Sequence, residues 1–215
     1  KDPTADVEGI DASRKISILM SLVTGKKFDC ENIHTKGISS ITAEDVAYAA
    51  AIGCTIKLIG CGYTKDGKAN ASVEPMIIPD SCPLSGIDDV FNGVMVKGNM
   101  VDSLMFYGRG AGKLPTASAV VADVIDIVRN GDYNGYFSWE ESDNSAVIPY
   151  SDVEARFSVR INEGQKGSVK EIFGDTEIIK GVSDYGFVTP RISVKVLSES
   201  IEKLGGAVSV IRLYK

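Results

Sequence analysis

The chain has 215 residues, of which 44% are apolar and 24% charged, and this composition is typical of a globular protein with a buried core. Its net charge of −6 argues against a nucleic-acid partner, because contact with a phosphate backbone requires a basic face. No apolar run approaches the roughly 18 residues of a membrane span. The single histidine and the absence of CxxC spacing among the four cysteines give no metal site. We expect a cytoplasmic protein with reduced thiols, no membrane segment and no bound metal.

The first half of the chain predicts two helices followed by short strands. A helix over 11–24 has apolar side chains at helical spacing, namely Ile16, Leu19, Met20, Leu22 and Val23. A second helix covers 43–52, where Thr42 and Asp45 form a near capping box. Short β-rich runs follow, with a hairpin turn at 65–70: "TIKLIGCGYT", "ASVEPMIIP", "FNGVMVKG" and "SLMFYG". These elements predict an α+β layer in which helices cover one face of a mixed sheet.

The second half predicts a long helix, a polar linker and a compact tail. Residues 115–129 carry apolar side chains at helical spacing, and residues 131–151 are polar and rich in turn formers. Residues 152–215 give the order β-α-β-β-α-β of the ferredoxin-like fold. We therefore predict a first domain over 1–130, a linker, and a smaller ferredoxin-like domain over 152–215.

The first segment with candidate functional residues is "DPTADVEGIDASRK", residues 2–15. Asp11 and Lys15 are four residues apart, so they lie on one helix face, and Asp6 precedes them in the approach to the helix. Two interpretations stay open. The acids cap the helix and form a surface pair of about 0.3–0.5 kcal/mol. Alternatively, carboxylates orient an ammonium group that donates a proton to a substrate oxygen or stabilises a developing alkoxide.

The second segment is "FYGRGAGKLPTAS", residues 106–118. Gly108, Gly110 and Gly112 come just before a predicted helix N-terminus, where free N–H groups attract phosphate. The segment is neither a Walker A loop, since no Ser or Thr follows Lys113, nor a complete GxGxxG fingerprint. Phosphate contact and a simple strand-to-helix turn both remain as interpretations.

Taken together, four segments resemble homoserine dehydrogenase in their order and spacing, and the resemblance covers residues 1 to about 130. These segments are "DPTADVEGIDASRK", "EDVAYAAAIGCTIKLIG", "NGVMVKG" and "FYGRGAGKLPTASAVVADVIDIV". Residues 152–215 resemble the ACT-type regulatory module often fused to this enzyme, with Lys166-Gly167 where that module usually has Pro-Gly.

The resemblance implies NAD(P)-dependent interconversion of L-homoserine and L-aspartate 4-semialdehyde in threonine and methionine biosynthesis, by a homodimer. It makes Lys15 the proton donor, Asp11 the acid one turn before it, and Asp6 a substrate contact. It also implies threonine as a candidate ligand of the ACT-type module, and a helix 115–129 that returns to the nucleotide domain. The residues that it places near the cofactor are Gly108, Gly110, Gly112 and Thr116.

The chain departs from the family pattern in two ways. The resemblance puts a substrate-binding glutamate one residue before Lys1, and a Rossmann domain with GxGxxG roughly 150 residues upstream, as typical domain size suggests. Neither is in this sequence. We therefore expect a fragment that folds but does not turn over alone. The alternative is a stand-alone sensor, which dimerises without catalysis and binds an amino acid such as threonine at its ACT-type module.

Overall fold

The computed structural model describes residues 2–131, 139–141, 146–180 and 184–214. The chain divides into two compact units, the larger formed by 1–79 with 139–215 and the smaller by 80–138. Most of the linker predicted at 131–151 falls outside the described residues. Among the described residues, no helix has both the length and the apolar character needed to cross a membrane.

The first 79 residues of the larger unit contain, in chain order, α1 (Thr4–Val7), α2 (Ile10–Thr24), β1 (His34–Thr35), α3 (Ala43–Ala51), β2 (Cys54–Lys65) and β3 (Lys68–Pro79). The predicted helices 11–24 and 43–52 are confirmed to within one residue at each end. The predicted hairpin turn is also confirmed. Its central residues, Asp66 and Gly67, have φ values of 51° and 74°, and positive φ at both positions matches the twist of the two strands.

The smaller unit contains β4 (Phe91–Gly98), β5 (Asp102–Arg109) and α4 (Lys113–Arg129). The two strands pair antiparallel from Phe91 opposite Arg109 to Gly98 opposite Asp102. The helix predicted over 115–129 is confirmed and begins two residues earlier. No residue of α4 is buried, so its apolar side chains do not form a core within this unit.

The tail returns to the larger unit as β6 (Glu154–Ala155), β7 (Phe157–Ile161), α5 (Val169–Phe173), β8 (Glu177–Ile179), β9 (Tyr185–Val188), β10 (Ile192–Ser193), α6 (Val194–Leu204) and β11 (Ser209–Leu213). Apart from β6 and β10, which pair with each other, this is the predicted βαββαβ order. The four main strands are antiparallel neighbours in the order β11-β7-β9-β8, the ferredoxin-like arrangement. The strand predicted across 187–194 is interrupted at Pro190, which has no N–H to donate to a neighbouring strand.

The tail and the first 79 residues share one sheet. Its order is β1-β3-β11-β7-β9-β8. β1 and β11 pair with successive parts of β3, at Ser72–Val73 and at Met76–Ile77, and β2 pairs with β3 along its whole length. β11 runs parallel to β3, with Arg212 opposite Met76 and Leu213 opposite Ile77. The predicted class, a mixed α+β sheet with helices, is therefore confirmed. Because backbone hydrogen bonding is continuous across the sheet, a separate ACT-type domain over 152–215 stays a prediction.

Helices cover both faces of this sheet. In β7, Phe157 and Val159 belong to the apolar core with α5 and α6, whereas Arg160 points to the other face and bonds Asp45 of α3. The first-half helices share that second face, because Val73 packs with α2 and Ile77 packs with α3. The prediction that the first-half helices cover one face of the sheet is therefore confirmed. The tail helices cover the opposite face.

A buried polar cluster lies where β1, β3 and β11 meet. Glu74 accepts hydrogen bonds from Tyr150 Oη at 2.6 Å and from Arg212 Nη1 at 3.0 Å. The ring of His34 stacks on Tyr150 with centroids 3.6 Å apart. Burial lowers the pKa of His34 below its ordinary 6.5; the Glu74 carboxylate opposes this effect, and the charges of Lys36 and Arg212 reinforce it. Burial and the Glu74 charge raise the pKa of Tyr150.

Candidate functional site

The acid-rich opening of the chain forms the short helix α1 and the first turns of α2, which begins after Gly9. Asp2 lies just before α1, and its Oδ1 accepts hydrogen bonds from Thr4 N at 3.0 Å and from Thr4 Oγ1 at 2.5 Å. These two bonds lower the pKa of Asp2. Gly9, with φ 76°, then turns the chain from α1 into α2, and this left-handed conformation favours glycine.

Asp11 and Lys15 form an ion pair on the first turns of α2. Lys15 Nζ lies 2.6 Å from Asp11 Oδ2, and the two side chains are 61% and 45% exposed. The predicted contact on one helix face is therefore confirmed. An exposed pair of this kind contributes only about 0.3–0.5 kcal/mol to folding. The fold does not depend on it, and the ammonium group is accessible to a ligand.

Asp6 lies near the end of α1, with its side chain exposed. Its carbonyl accepts a hydrogen bond from Gly9 N at 3.3 Å, so its backbone takes part in the turn that starts α2. The structure thus brings Asp11 and Lys15 into direct contact and leaves Asp6 on the adjoining helix. The position of Asp6 relative to the ion pair depends on how α1 and α2 are each held against the sheet.

The buried residues of α2 are three serines and one methionine, Met20. Ser13, Ser17 and Ser21 are buried, and each hydroxyl donates to a carbonyl of the preceding turn at 2.8–2.9 Å. The neighbouring stripe of α2, formed by Ala12, Ile16 and Met20, is the one that packs against β2 and β3. At Gly60, an added Cβ would lie 3.5 Å from Ile16 Cβ and 3.8 Å from Ala12 O. Sequence reasoning did not identify these serines as buried, because their hydroxyls are satisfied by hydrogen bonds within the helix itself.

The apolar side chains predicted at helical spacing along α2 are only partly buried. Met20 is buried and Ile16 is partly buried, but Leu19, Leu22 and Val23 are exposed. The predicted helix is confirmed, and only part of its apolar stripe reaches the core around Val73.

The candidate cofactor residues follow one another from the end of β5, where Gly108 lies, to the first turn of α4, in the smaller unit. Gly112, with φ 121°, is the N-cap of the helix, and Thr116 N donates to Gly112 O at 3.2 Å. Gly110 is packed against the side chain of Asn92, so any Cβ there would clash. Gly108 has open space around it. Local packing therefore explains why position 110 requires glycine, and the positive φ explains why position 112 does. Neither reason applies to Gly108.

No group of three or more His, Cys, Asp or Glu side chains is arranged to hold a metal ion within the part of the chain that the structure describes.

Comparison with known proteins points to one family. The family model described as homoserine dehydrogenase matches residues 1–125. The homoserine dehydrogenase of Bacillus subtilis (strain 168) is 40% identical over 175 residues, which covers 80% of this chain and 40% of that protein. The homoserine dehydrogenase of Mycobacterium tuberculosis (strain H37Rv) is 35% identical over 244 residues, covering 99% of this chain and 55% of that protein.

Solved structures agree. A homoserine dehydrogenase from Thiobacillus denitrificans has a TM-score of 0.88 at 32% identity, covering 100% of this chain and 55% of that one. The Staphylococcus aureus homoserine dehydrogenase at pH 6.0 has a TM-score of 0.78 at 31% identity, with the same coverage of both chains. The chain therefore spans about half the length of the relatives that it matches, between 40% and 55% in these four.

Proposed function

The chain belongs to the homoserine dehydrogenase family, and from this premise we propose that it carries the proton-transfer residues for interconverting L-homoserine and L-aspartate 4-semialdehyde. The observation that carries the proposal is the contact of Lys15 Nζ with Asp11 Oδ2 at 2.6 Å, on an exposed helix face inside the matched segment. The reaction belongs to amino-acid biosynthesis and, by the family resemblance, to the formation of threonine and methionine.

The proposed chemistry follows from a charge that develops on one oxygen. When bound, NAD(P) supplies the hydride to the carbonyl carbon of the semialdehyde, or takes it up from homoserine in the reverse direction. The carbonyl oxygen gains negative charge as its carbon is reduced, and the Lys15 ammonium donates a proton to it. In the reverse direction the Lys15 amine accepts the hydroxyl proton. The ion pair with Asp11 holds Lys15 Nζ in place and so orients its N–H groups toward the substrate oxygen.

The remaining site residues take binding roles in this proposal. The exposed carboxylate of Asp6 binds the ammonium group of the amino-acid substrate. In the smaller unit, the N-terminus of α4 offers backbone N–H groups to a cofactor phosphate, with Gly108, Gly110, Gly112 and Thr116 around it. Pro115 leaves one N–H fewer in that first turn. We expect no turnover from the chain alone, and homoserine-dependent reduction of NAD(P) by it would contradict this expectation.

The test uses a chimera in which this chain replaces the matching part of the Bacillus subtilis relative. Because a positioned general acid contributes about 10²–10⁴-fold, Lys15→Met should lower kcat by that factor and change KM for L-homoserine much less. The matched control is Lys27→Met, which removes a lysine of similar exposure, 56% against 61%, from its ion pair with Glu141. Equal activities of the Lys15 and Lys27 variants would refute the proposal.

A second candidate function is amino-acid sensing by the tail. The βαββαβ order with its ferredoxin-like strand arrangement favours it, since this is the topology of the ACT-type module. Calorimetric titration with L-threonine tests this function: saturable heat would support a regulatory site, and no heat would leave the enzyme proposal as the single remaining function.

We also propose that the chain forms a homodimer, and a monomer mass in light scattering at micromolar protein would contradict this proposal.

A further inference from the structure

Gly37 lies buried directly beneath the backbone of the acid-rich segment. An added Cβ at this position would lie 2.6 Å from Glu8 Cα and 2.6 Å from Val7 O. Both are backbone atoms, so no rotation of a side chain could relieve the clash. The residue therefore allows the end of α1 to touch the segment that follows β1.

The neighbours of Gly37 connect α1 to the sheet. Lys36 N donates to Val73 O of β3 at 2.7 Å, and Ile38 N donates to Val7 O of α1 at 2.9 Å. Residues 36–38 thus bond β3 on one side and α1 on the other, with Gly37 between the two bonds. The size of the side chain at position 37 therefore determines the distance between α1 and β3.

α2 is held against the sheet by a different set of contacts. Ile16 packs against Gly60 and Met20 packs against Gly62 of β2, and both side chains also belong to the cluster around Val73 of β3. Gly9, between the two helices, is a second close approach: an added Cβ there would lie 2.9 Å from Val73 Cγ1. The body of α2 is thus anchored well beyond Glu8, so a displacement at Val7 and Glu8 moves Asp6 more than it moves Lys15.

We infer that Gly37 is a positioning residue, which sets the distance between Asp6 on α1 and the Asp11–Lys15 pair on α2. This inference rests on the proposed function, because it assumes that Asp6 and Lys15 act on one substrate. Gly37 touches neither the substrate nor the ion pair. It acts through the backbone of Val7 and Glu8, two residues after Asp6 in the chain.

The size of the effect follows from the geometry. Ordinary contact of a Cβ begins near 3.4 Å, so Gly37→Ala must push the Val7–Glu8 backbone away by about 0.8 Å. Asp6 moves with α1, and Lys15 stays with α2. A shift of this size weakens the hydrogen bond between the Asp6 carboxylate and the substrate ammonium. Because a charged hydrogen bond contributes about 10- to 100-fold in affinity, we expect Gly37→Ala to weaken L-homoserine binding by up to that factor.

The binding test measures L-homoserine affinity by calorimetry on this chain, with Gly37→Ala, Asp6→Asn and the double variant. If Gly37 acts through Asp6, then Asp6→Asn adds less than about twofold in the Gly37→Ala background, because the two changes remove the same interaction. A full additive effect of Asp6→Asn would overturn the inference, as would unchanged affinity in Gly37→Ala. The control is Gly86→Ala, where an added Cβ meets no atom within 4 Å.

Amide hydrogen exchange tests the positioning without any ligand. In Gly37→Ala we expect faster exchange of Ile38 N–H, whose partner is Val7 O, and unchanged exchange of Ser13 N–H, which donates to Gly9 O at 2.9 Å. Changes at both amides, or at neither, would overturn the inference. If the unmodified chain binds no L-homoserine, the proposed function fails on this chain, and exchange alone still decides the role of Gly37.

A third measurement is needed if circular dichroism shows that the Gly37→Ala chain does not fold. In the unmodified chain, saturating L-homoserine is expected to slow exchange at Ile38, because the bound substrate holds α1 in place. Unchanged exchange at Ile38 in a chain that binds L-homoserine would overturn the inference.

Discussion

Arg160 of β7 forms the most buried ion pair between the tail and α3, and its replacement by methionine should destabilise the larger unit strongly. Its Nε and Nη2 donate to Asp45 Oδ1 at 3.3 and 3.1 Å, and its Nη1 donates to Asp184 Oδ2 at 3.0 Å. The side chains of Arg160 and Asp45 are only 8% and 3% exposed. Nη2 also donates to Thr42 Oγ1, the N-cap of α3.

The magnitude of the effect comes from the charge that is left behind. Arg160→Met keeps most of the side-chain volume but leaves the Asp45 carboxylate buried without its cation. Removing one partner of a buried pair costs about 3–5 kcal/mol, which is mainly the penalty of the uncompensated charge. For a unit of about 150–250 residues, each kcal/mol corresponds to about 2–4 °C in Tm. We therefore expect Tm to fall by about 6–20 °C.

Thermal unfolding followed by circular dichroism measures this loss. The control is Lys166→Met, which breaks an exposed pair with Glu163 at 3.1 Å and should change stability by less than about 0.5 kcal/mol. The double variant Arg160→Met with Asp45→Asn should recover part of the loss, because the buried charge is gone. A loss below about 1 kcal/mol for Arg160→Met, or no recovery in the double variant, would refute the reasoning.

The acid limb of the stability curve gives a second measure of the same contact. Burial opposes ionisation of Asp45, but hydrogen bonds from Thr42 and Ser209 and the charge of Arg160 outweigh it, so the pKa of Asp45 lies below its ordinary 3.8. The stabilisation is therefore complete above that value and is lost as pH falls through the lower pKa of the folded state. Arg160→Met should flatten this loss, since it removes one cause of the lowered pKa.

Two further predictions concern His34 and Phe187. Burial holds the pKa of folded His34 below its ordinary 6.5, so unfolding takes up a proton and stability should fall as pH drops below that value. Urea titrations at several pH values should show this fall in the free energy of unfolding in the unmodified chain and not in His34→Gln. Phe187 is fully buried against Phe173, so Phe187→Ala should cost about 3–5 kcal/mol in the same titration, and a cost below about 1 kcal/mol would contradict its central place in the core.

The local elements of the fold could be predicted because their causes are local. Thr42 and Asp45 mark the start of α3, and the Asp66-Gly67 pair supplies the two positive φ values of a tight hairpin. The contact of Asp11 with Lys15 follows from helical spacing alone. The βαββαβ order of the tail could likewise be predicted from the succession of short apolar runs.

Contacts between distant segments could not be predicted in this way. The pairing of β11 with β3 joins Arg212 to Met76, and no local periodicity records which remote strand completes a sheet. The burial of Ser13, Ser17 and Ser21 in α2 could not be predicted for a related reason, since it depends on the segments that pack against the helix. Gly37 was not recognised, because its role appears only when Val7 and Glu8 are seen lying on it.

Stability and proposed function rest on different kinds of ion pair in this chain. Buried pairs, such as Arg160 with Asp45, connect the tail to the first 79 residues and carry several kcal/mol if broken. The Asp11–Lys15 pair is exposed and contributes little to folding, so its charges remain available to a substrate. The segment that leads into α2 is held by close contacts at Gly9, against the Val73 side chain, and at Gly37, against the backbone of Val7 and Glu8. Substitutions at those two glycines should therefore alter binding through geometry, whereas substitutions at Lys15 should alter chemistry at nearly unchanged stability.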